Sequence, residues 1–382
     1  MNKNSKIYVA GHNGLVGSAI VKTLKQKGYT NITGKTSKEL DLRDPMAVRD
    51  YFKLEKPEYV FLAAAKVGGI IANNTYRAEF IYDNLMIQNN IIEQSYRNGV
   101  KKLMFLGSTC IYPRECPQPM KEEYLLTSPL EYTNESYAIA KIAGIKMCES
   151  YNIQYGTNFL SVMPTNLYGP NDNFDLEKSH VLPALLRKIH LGKCLEEDNW
   201  EAIREDLDKR PVKEMKERLK DSTNERLNEE EILEILSKYG ITISPSRSVV
   251  SVEIWGSGKP MREFLWSEEM ADACVFIMEN IDFIDLINQH PSSNIQYPEI
   301  RNTHINIGTG KEISIKNLAG LIKEKVGFKG ELYFNTSKPD GMMRKLTDPT
   351  KLHNLDWHHK IEIEEGLTRL YRWYIGEGLG KV

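Results

Sequence analysis

The sequence predicts an α/β fold: a Rossmann-type doubly wound parallel sheet, a smaller C-terminal α/β domain, and a charged helical insert. Three observations carry that expectation. Short apolar runs alternate with helix-patterned stretches through the first 165 residues. A glycine triplet stands directly between the first run and the first helix. A stretch over about 195–245 abandons this pattern for Glu, Asp, Lys and Arg.

Taken in order, Ile7–Ala10 reads as a buried strand, and residues 15–27 as a helix with Val16, Ile20 and Leu24 on one face. Ile32–Thr33 is a weaker strand, and Tyr59–Ala63 and Lys102–Leu106 are stronger ones, with helical periodicity over Phe80–Asn98 between them. Phe159–Met163 closes the series. Strands alternating with helices make βαβ units and a parallel sheet covered on both faces. Such sheets bind ligands beyond the C-terminal ends of their strands.

In the charged stretch, Lys213–Lys220 and Asn228–Leu236 read as helices of an insert with a solvated face. Strand character returns at Val249–Trp255. Ile305–Ile307, a helix over Ile315–Val326 and Glu331–Phe334 follow. The expected division is a dinucleotide domain over 1–165, to which 255–285 returns, and a second region over 166–254 and 286–382.

Bulk composition narrows the function classes. The 382 residues are 41% hydrophobic and 27% charged, with a net charge of −2. That balance argues against a chain built to hold nucleic acid or an anionic membrane surface. No apolar run is long enough to span a bilayer. The first residues lead into a strand without a signal-peptide core, so a cytoplasmic location is the expectation. Five scattered cysteines with no C-x-x-C pair indicate neither a disulfide framework nor a metal site.

Gly11, Gly14 and Gly17, with His12, Asn13, Leu15 and Val16 between them, give a G-x-x-G-x-x-G turn after the first strand. Glycines permit a tight turn and close approach of backbone to a pyrophosphate, and the helix N-terminus offers unpaired N–H groups to it. In that position the turn marks a dinucleotide site. Selection of NAD calls for an acid at the end of the second strand, where this chain has Gly34–Lys38 and no carboxylate before Glu39. Lys35 and Lys38 favour a 2′-phosphate, so NADP(H) is the expected cofactor.

Tyr137 and Lys141 lie at i and i+4, one helical face. A phenol is a poor acid–base group at neutral pH, and a neighbouring ammonium lowers its pKa. Among nineteen tyrosines a Y-x-x-x-K match is expected by chance. The upstream glycine turn and the hydroxyl loop Gly107–Pro113, with Ser108 placed to bond a carbonyl, raise it above chance. In that order the three features resemble the extended short-chain dehydrogenase/reductases.

The resemblance narrows further. Leu62–Ile70, Asn73–Tyr76, Gly107–Pro113, Tyr137–Gly144, Met163–Pro170, Trp255–Gly258, Pro260–Phe264 and Lys338–Gly341 closely resemble the GDP-L-fucose synthase family, across nearly all the chain outside the insert. That family epimerises C3 and C5 of GDP-4-keto-6-deoxy-D-mannose and then reduces C4. The resemblance implies Cys110 as base and His180 as acid for epimerisation. It implies Tyr137 as proton donor in the reduction, tuned by Lys141 and aided by Ser108. It places NADP(H) against Gly11–Gly17, Lys35, Asp41, Leu42, Leu106, Gly107, Lys141, Pro164, Thr165, Asn166 and Leu167. It places the GDP-sugar against His180, Lys188, Trp255, Arg262 and Asp340.

Family members often carry Arg where Asn13 stands and a basic residue near Ser37, which leaves Lys35 and Lys38 as substitutes here. A related GDP-4-keto sugar such as a heptose is the alternative substrate. A non-catalytic NADP-binding sensor is disfavoured, because Tyr137, Lys141 and Cys110 are all kept. Pairing of the helices near 84–98 and 137–155 across a two-fold axis predicts a homodimer.

Overall fold

A computed structural model of the chain describes residues 1–213, 215, 226–246, 249–288 and 299–377. The apolar runs of the first half become β1 (Ile7–Ala10), β2 (Ile32–Thr33), β3 (Tyr59–Leu62), β4 (Lys102–Leu106) and β5 (Phe159–Pro164). Between them run α1 (Leu15–Gln26), α2 (Pro45–Glu55), α3 (Ile70–Thr75), α4 (Arg77–Arg97) and α5 (Glu135–Tyr155). Then follow β6 (Asn166–Tyr168), α6 (Val181–Glu196), α7 (Trp200–Lys209), α8 (Glu229–Lys238), β7 (Ile241–Ile243) and β8 (Val250–Trp255). After these come β9 (Met261–Arg262), β10 (Phe264–Trp266), α9 (Ser267–Asn280), α10 (Phe283–Asn288) and β11 (Ile305–Ile307). The chain ends with β12 (Ile313–Ser314), α11 (Ile315–Val326), β13 (Glu331–Asn335), α12 (Thr350–His353) and α13 (Ile363–Tyr374).

The chain divides into two units, each made of three segments. The first holds residues 1–171, 263–311 and 345–362, and the second 172–262, 312–344 and 363–382.

The first unit is built on a six-stranded, all-parallel sheet in the order β11-β5-β4-β3-β1-β2. Alternation along each strand feeds two cores. Ile7, Val9, Phe61, Met104 and Val162 face Leu24 of α1 and Ile277 of α9. Tyr8, Ala10, Leu62, Phe105 and Met163 face Phe52 of α2, Ile92 of α4 and Ile145 of α5. The order reverses between β1 and β3, which opens the crevice where such sheets take ligands.

Five helices of this unit, α2, α3, α9, α10 and α12, are not marked by pattern alone. α2 buries only Val48, Tyr51 and Phe52, too narrow a stripe to stand out. Its start signal is nevertheless present: Asp44 caps the N–H groups of Met46 and Ala47, and Pro45 occupies the first helical position. α9 is a second, and its Met270, Ala271, Cys274 and Met278 complete the first core.

In the second unit β8 lies between β13, parallel to it, and β7, antiparallel to it. The charged insert is helical at α7 and α8, and part of the expected Lys213–Lys220 helix lies outside the described residues. The insert is more than a solvated face. Ile203, Leu207, Ile232 and Leu236 are fully buried, and the stretch ends as β7 in the sheet. Asp206 of α7 meets Arg187 of α6 at 2.8 Å, both side chains buried. The guanidinium also donates to the carbonyls of Phe174 and Arg210, and the Tyr374 hydroxyl donates to Asp206. A buried ion pair persists only when its remaining polar atoms are satisfied in this way.

Candidate active site

The glycine turn is held by contacts that only glycine permits. Gly11 has φ +84°, and a Cβ there would lie 2.8 Å from the Ala64 nitrogen at the end of β3. A Cβ on Gly17 would lie 2.0 Å from the Gly11 carbonyl oxygen. The turn is therefore folded onto its own helix and onto β3, beside the crevice. Gly14 is the N-cap of α1 and no side chain caps that helix, which leaves first-turn N–H groups directed outward. Asn13 and Gly14 are exposed. This cradle fits a pyrophosphate.

Past β2 the acids are already engaged. Glu39 accepts from the Thr36 amide (2.8 Å) and hydroxyl (2.7 Å), and its other oxygen lies 3.6 Å from Lys35. Asp41 is gripped by Arg43 through Nε (2.9 Å) and Nη2 (2.8 Å), so its carboxylate is committed within the loop. Leu42 packs on the second core, and its carbonyl accepts from Asn90.

Leu106 and Gly107 at the end of β4, and Pro164 and Thr165 at the end of β5, stand on the same edge of the sheet as Gly11. Beside them, on α5, Tyr137 and Lys141 share a face as their spacing requires. Lys141 is 3% exposed. Its ammonium donates to the Leu106 carbonyl (2.8 Å) and lies 5.7 Å from the Tyr137 ring centroid. Phe80 packs edge-on against that ring at 6.4 Å. Ser108 caps a short 3₁₀ turn by accepting from the Cys110 amide (3.4 Å), which seats Cys110 in the interior.

The electrostatics correct one expectation. Burial, then the charge of Cys110, pushes the Tyr137 phenol well above its ordinary range. Burial also brings Lys141 down to about 8. The Leu106 carbonyl holds the ammonium, and burial favours the neutral phenol over the phenolate. A phenol is the form that gives a proton. Burial raises the Cys110 thiol, while the charge of Lys345, the Ser108 hydroxyl and the charge of Lys141 oppose that rise.

The residues expected at the GDP-sugar lie in the second unit. His180 is exposed at the N-cap of α6. Trp255 ends β8, 57% exposed, with the Lys338 ammonium 5.1 Å from its ring centroid. Asp340 accepts from the Ser257 amide (2.9 Å) and hydroxyl (2.7 Å), which hold its carboxyl below the usual range. Arg262 is half-buried beside Gly341, and its Nη1 donates to the Met261 carbonyl. Trp255, Lys338, Asp340 and Arg262 thus belong to one stretch of surface. Lys188 is committed elsewhere: its ammonium donates to the Glu253 carbonyl, and burial lowers it to about 8.

Two contributors had no role assigned from sequence. Lys338 belongs to a recognised block, but only the fold brings it over Trp255. Glu263 is fully buried and receives five hydrogen bonds. Its Oε1 accepts from the Thr309 amide and hydroxyl and the Gly310 amide, and its Oε2 from the Thr347 amide and hydroxyl. Its own carbonyl accepts from Asn166 (2.8 Å), which fixes the segment following β5.

The sequence profile of the NAD dependent epimerase/dehydratase family matches residues 7–210 and 232–295. The chain is 47% identical to a putative GDP-L-fucose synthase 2 of Arabidopsis thaliana, over 98% of this chain and 93% of that one. It is 45% identical to the GDP-L-fucose synthase of Escherichia coli K12, over 97% of this chain and 96% of the relative. Among solved structures it resembles MlghC, a GDP-mannoheptose C4 reductase of Campylobacter jejuni with NADP bound. That match has 49% identity and a TM-score of 0.81, over 98% of this chain and 99% of that one. The profile runs through β1 to β5, the glycine turn, the Gly107–Pro113 loop and the helix of Tyr137 and Lys141, and the relatives match over more than nine-tenths of each chain: the chain belongs to the NAD-dependent epimerase/dehydratase family.

Proposed function

We propose that this chain converts GDP-4-keto-6-deoxy-D-mannose to GDP-L-fucose, epimerising C3 and C5 and then reducing C4, with NADP(H) as cofactor. The observation that carries this reading is a buried thiol, Cys110, on the 3₁₀ turn that packs against α5, the helix of the Tyr137–Lys141 pair. A plain ketone reductase needs the pair and not the thiol. The identity to GDP-L-fucose synthases supports the substrate, and the NADP-bound relative supports the cofactor.

A C4 ketone acidifies the hydrogens on C3 and C5. Cys110 as thiolate removes one, and His180 returns a proton from the opposite face, inverting the carbon. The cofactor supplies hydride to C4 when bound. Tyr137 gives its proton to the C4 oxygen, and Ser108 stabilises charge developing there. Lys141 orients the reactants through its ammonium. The first unit holds the dinucleotide along Gly11–Gly17 and the ends of β4 and β5. The second holds the GDP-sugar through His180, Trp255, Arg262 and Asp340.

The protein acts as a cytoplasmic homodimer in this reading. Tyr82 of α4 and Ile139, Ile153 and Tyr155 of α5 are 42–61% exposed, which supports helix pairing between copies. Among the described residues no helix is long and apolar enough to cross a membrane, and the five cysteines are unpaired.

The likeness to a GDP-mannoheptose C4 reductase favours one second reading, reduction of a GDP-4-keto-heptose already epimerised elsewhere. Turnover of each 4-keto nucleotide with NADPH in deuterated water separates them. GDP-L-fucose carrying deuterium at C3 and C5 is the expected product. Reduction without that exchange overturns the epimerase assignment and leaves the heptose reading.

A further inference from the structure

The position just past β2 is where a NAD-binding chain places the acid that grips the ribose 2′-hydroxyl. Here it is Gly34, and the reason is visible. A Cβ on Gly34 would lie 2.4 Å from Cγ, 2.6 Å from Nδ1 and 2.9 Å from Cβ of His12. The His12 side chain occupies the volume into which a side chain at Gly34 would first grow. Its colliding atoms are the near end of the ring, so they cannot swing aside as a lysine tip would.

His12 Nδ1 is buried without a hydrogen-bond partner, which costs stability rather than adding to it. The nearest acids are also spent: Glu39 on Thr36 and Lys35, Asp41 on Arg43. The basic side chains Lys35 and Lys38 stay at the surface beside the turn.

We propose that His12, packed on Gly34, is the residue by which this chain selects NADP(H) over NAD(H). It occupies the space of the ribose-reading acid and leaves the adenosine ribose facing an imidazole and two lysines instead of a carboxylate. The proposal rests on the cofactor assignment above and adds the residue that enforces it.

Calorimetric titration of the purified protein with NADP⁺, NAD⁺, 2′,5′-ADP and 5′-AMP tests this without turnover. Wild type binds 2′,5′-ADP at least tenfold tighter than 5′-AMP, and His12→Ala reduces that ratio at least fivefold. Gly34→Asp weakens NADP⁺ and gains nothing for NAD⁺, because the carboxylate and the ring exclude each other. The double variant His12→Ala/Gly34→Asp binds NAD⁺ at least tenfold tighter than Gly34→Asp alone. The inference is overturned if Gly34→Asp by itself binds NAD⁺ as well as the double variant, or if His12→Ala keeps the full ratio. Should Gly34→Asp fail to fold, His12→Ala and His12→Asn decide through the ratio alone. If wild type binds neither dinucleotide, the cofactor assignment has failed instead.

Discussion

Glu263→Gln is a one-atom change that should cost much of the chain's stability. The carboxylate is fully buried, and both of its oxygens act only as acceptors, toward two N–H groups and a hydroxyl on one side and an N–H and a hydroxyl on the other. Whichever oxygen becomes an amide nitrogen, at least one backbone N–H then faces another donor. The Thr347 side is the less costly choice, losing the Thr347 amide bond (2.9 Å) and forcing its hydroxyl to rotate. A hydrogen bond to a charged group contributes roughly 1.5–3 kcal/mol net, and a buried unsatisfied donor costs about 1–3 kcal/mol. The sum is about 2.5–6 kcal/mol, against a typical total of roughly 5–15 kcal/mol. With unfolding entropy near 2 cal/mol/K per residue over 382 residues, that lowers Tm by about 3–8 °C. Scanning calorimetry of wild type, Glu263→Gln and Thr347→Val measures it. Thr347→Val removes one hydroxyl and keeps the amide, so it should fall by less than half as much. A Glu263→Gln melting point within 1 °C of wild type would refute the bonding scheme.

Four further outcomes follow from the geometry. Cys110→Ser should lose most solvent exchange at C3 and C5 while still reducing a pre-epimerised ketone, and Tyr137→Phe should exchange but lose reduction by about 10²-fold or more, both read by mass spectrometry and NADPH oxidation. Lys141, brought to about 8 by burial, carries its charge below that pH and loses it above, so kcat/KM for reduction should decline from about pH 8 rather than near 10. Asp172 is raised to about 7 by burial, and its Oδ2 is buried without a partner. The unfolded chain sheds that proton near pH 4 and the folded chain keeps it to about 7, so the folded state loses stability as pH rises between them; Asp172→Asn should match wild type at pH 4 and be more stable by about 2–4 kcal/mol at pH 8 in urea titrations. Ile153→Glu should turn a dimer into monomers in sedimentation, and an unchanged sedimentation coefficient would remove that face from the interface.

The parts of this protein that a local pattern can express were legible in its sequence. β1, β3, β4 and β5 are runs of mostly buried residues, and the glycine turn and the Tyr137–Lys141 spacing each sit within a few residues. What escaped depends on contacts between distant segments. No spacing rule reveals that the Lys141 ammonium turns to the Leu106 carbonyl, or that burial raises the Tyr137 phenol. The Gly34 position read as a missing acid, but the ring that bars an acid lies 22 positions earlier, across the sheet edge. Glu263 collects partners from residues 309–310 and 347, so its role exists only once three stretches have met. The insert read as solvated because charge dominates its composition, while Ile203, Leu207, Ile232 and Leu236 seal it inward.

The interleaving of segments in the first unit has a consequence for how the chain emerges during synthesis. Once residue 164 has been made, β2, β1, β3, β4 and β5 are all available, and β5 stands as an apolar edge with its outer N–H and C=O groups unpaired. The strand that covers it, β11, is translated about 140 residues later, which at roughly 5–20 residues per second is a delay of about 7–28 s. For that interval the nascent chain carries an adhesive edge while the second unit is being made. Expression at high ribosome density should favour aggregation through β5, and a chaperone that shields extended apolar strands should matter more to yield than any stabilisation of the finished enzyme.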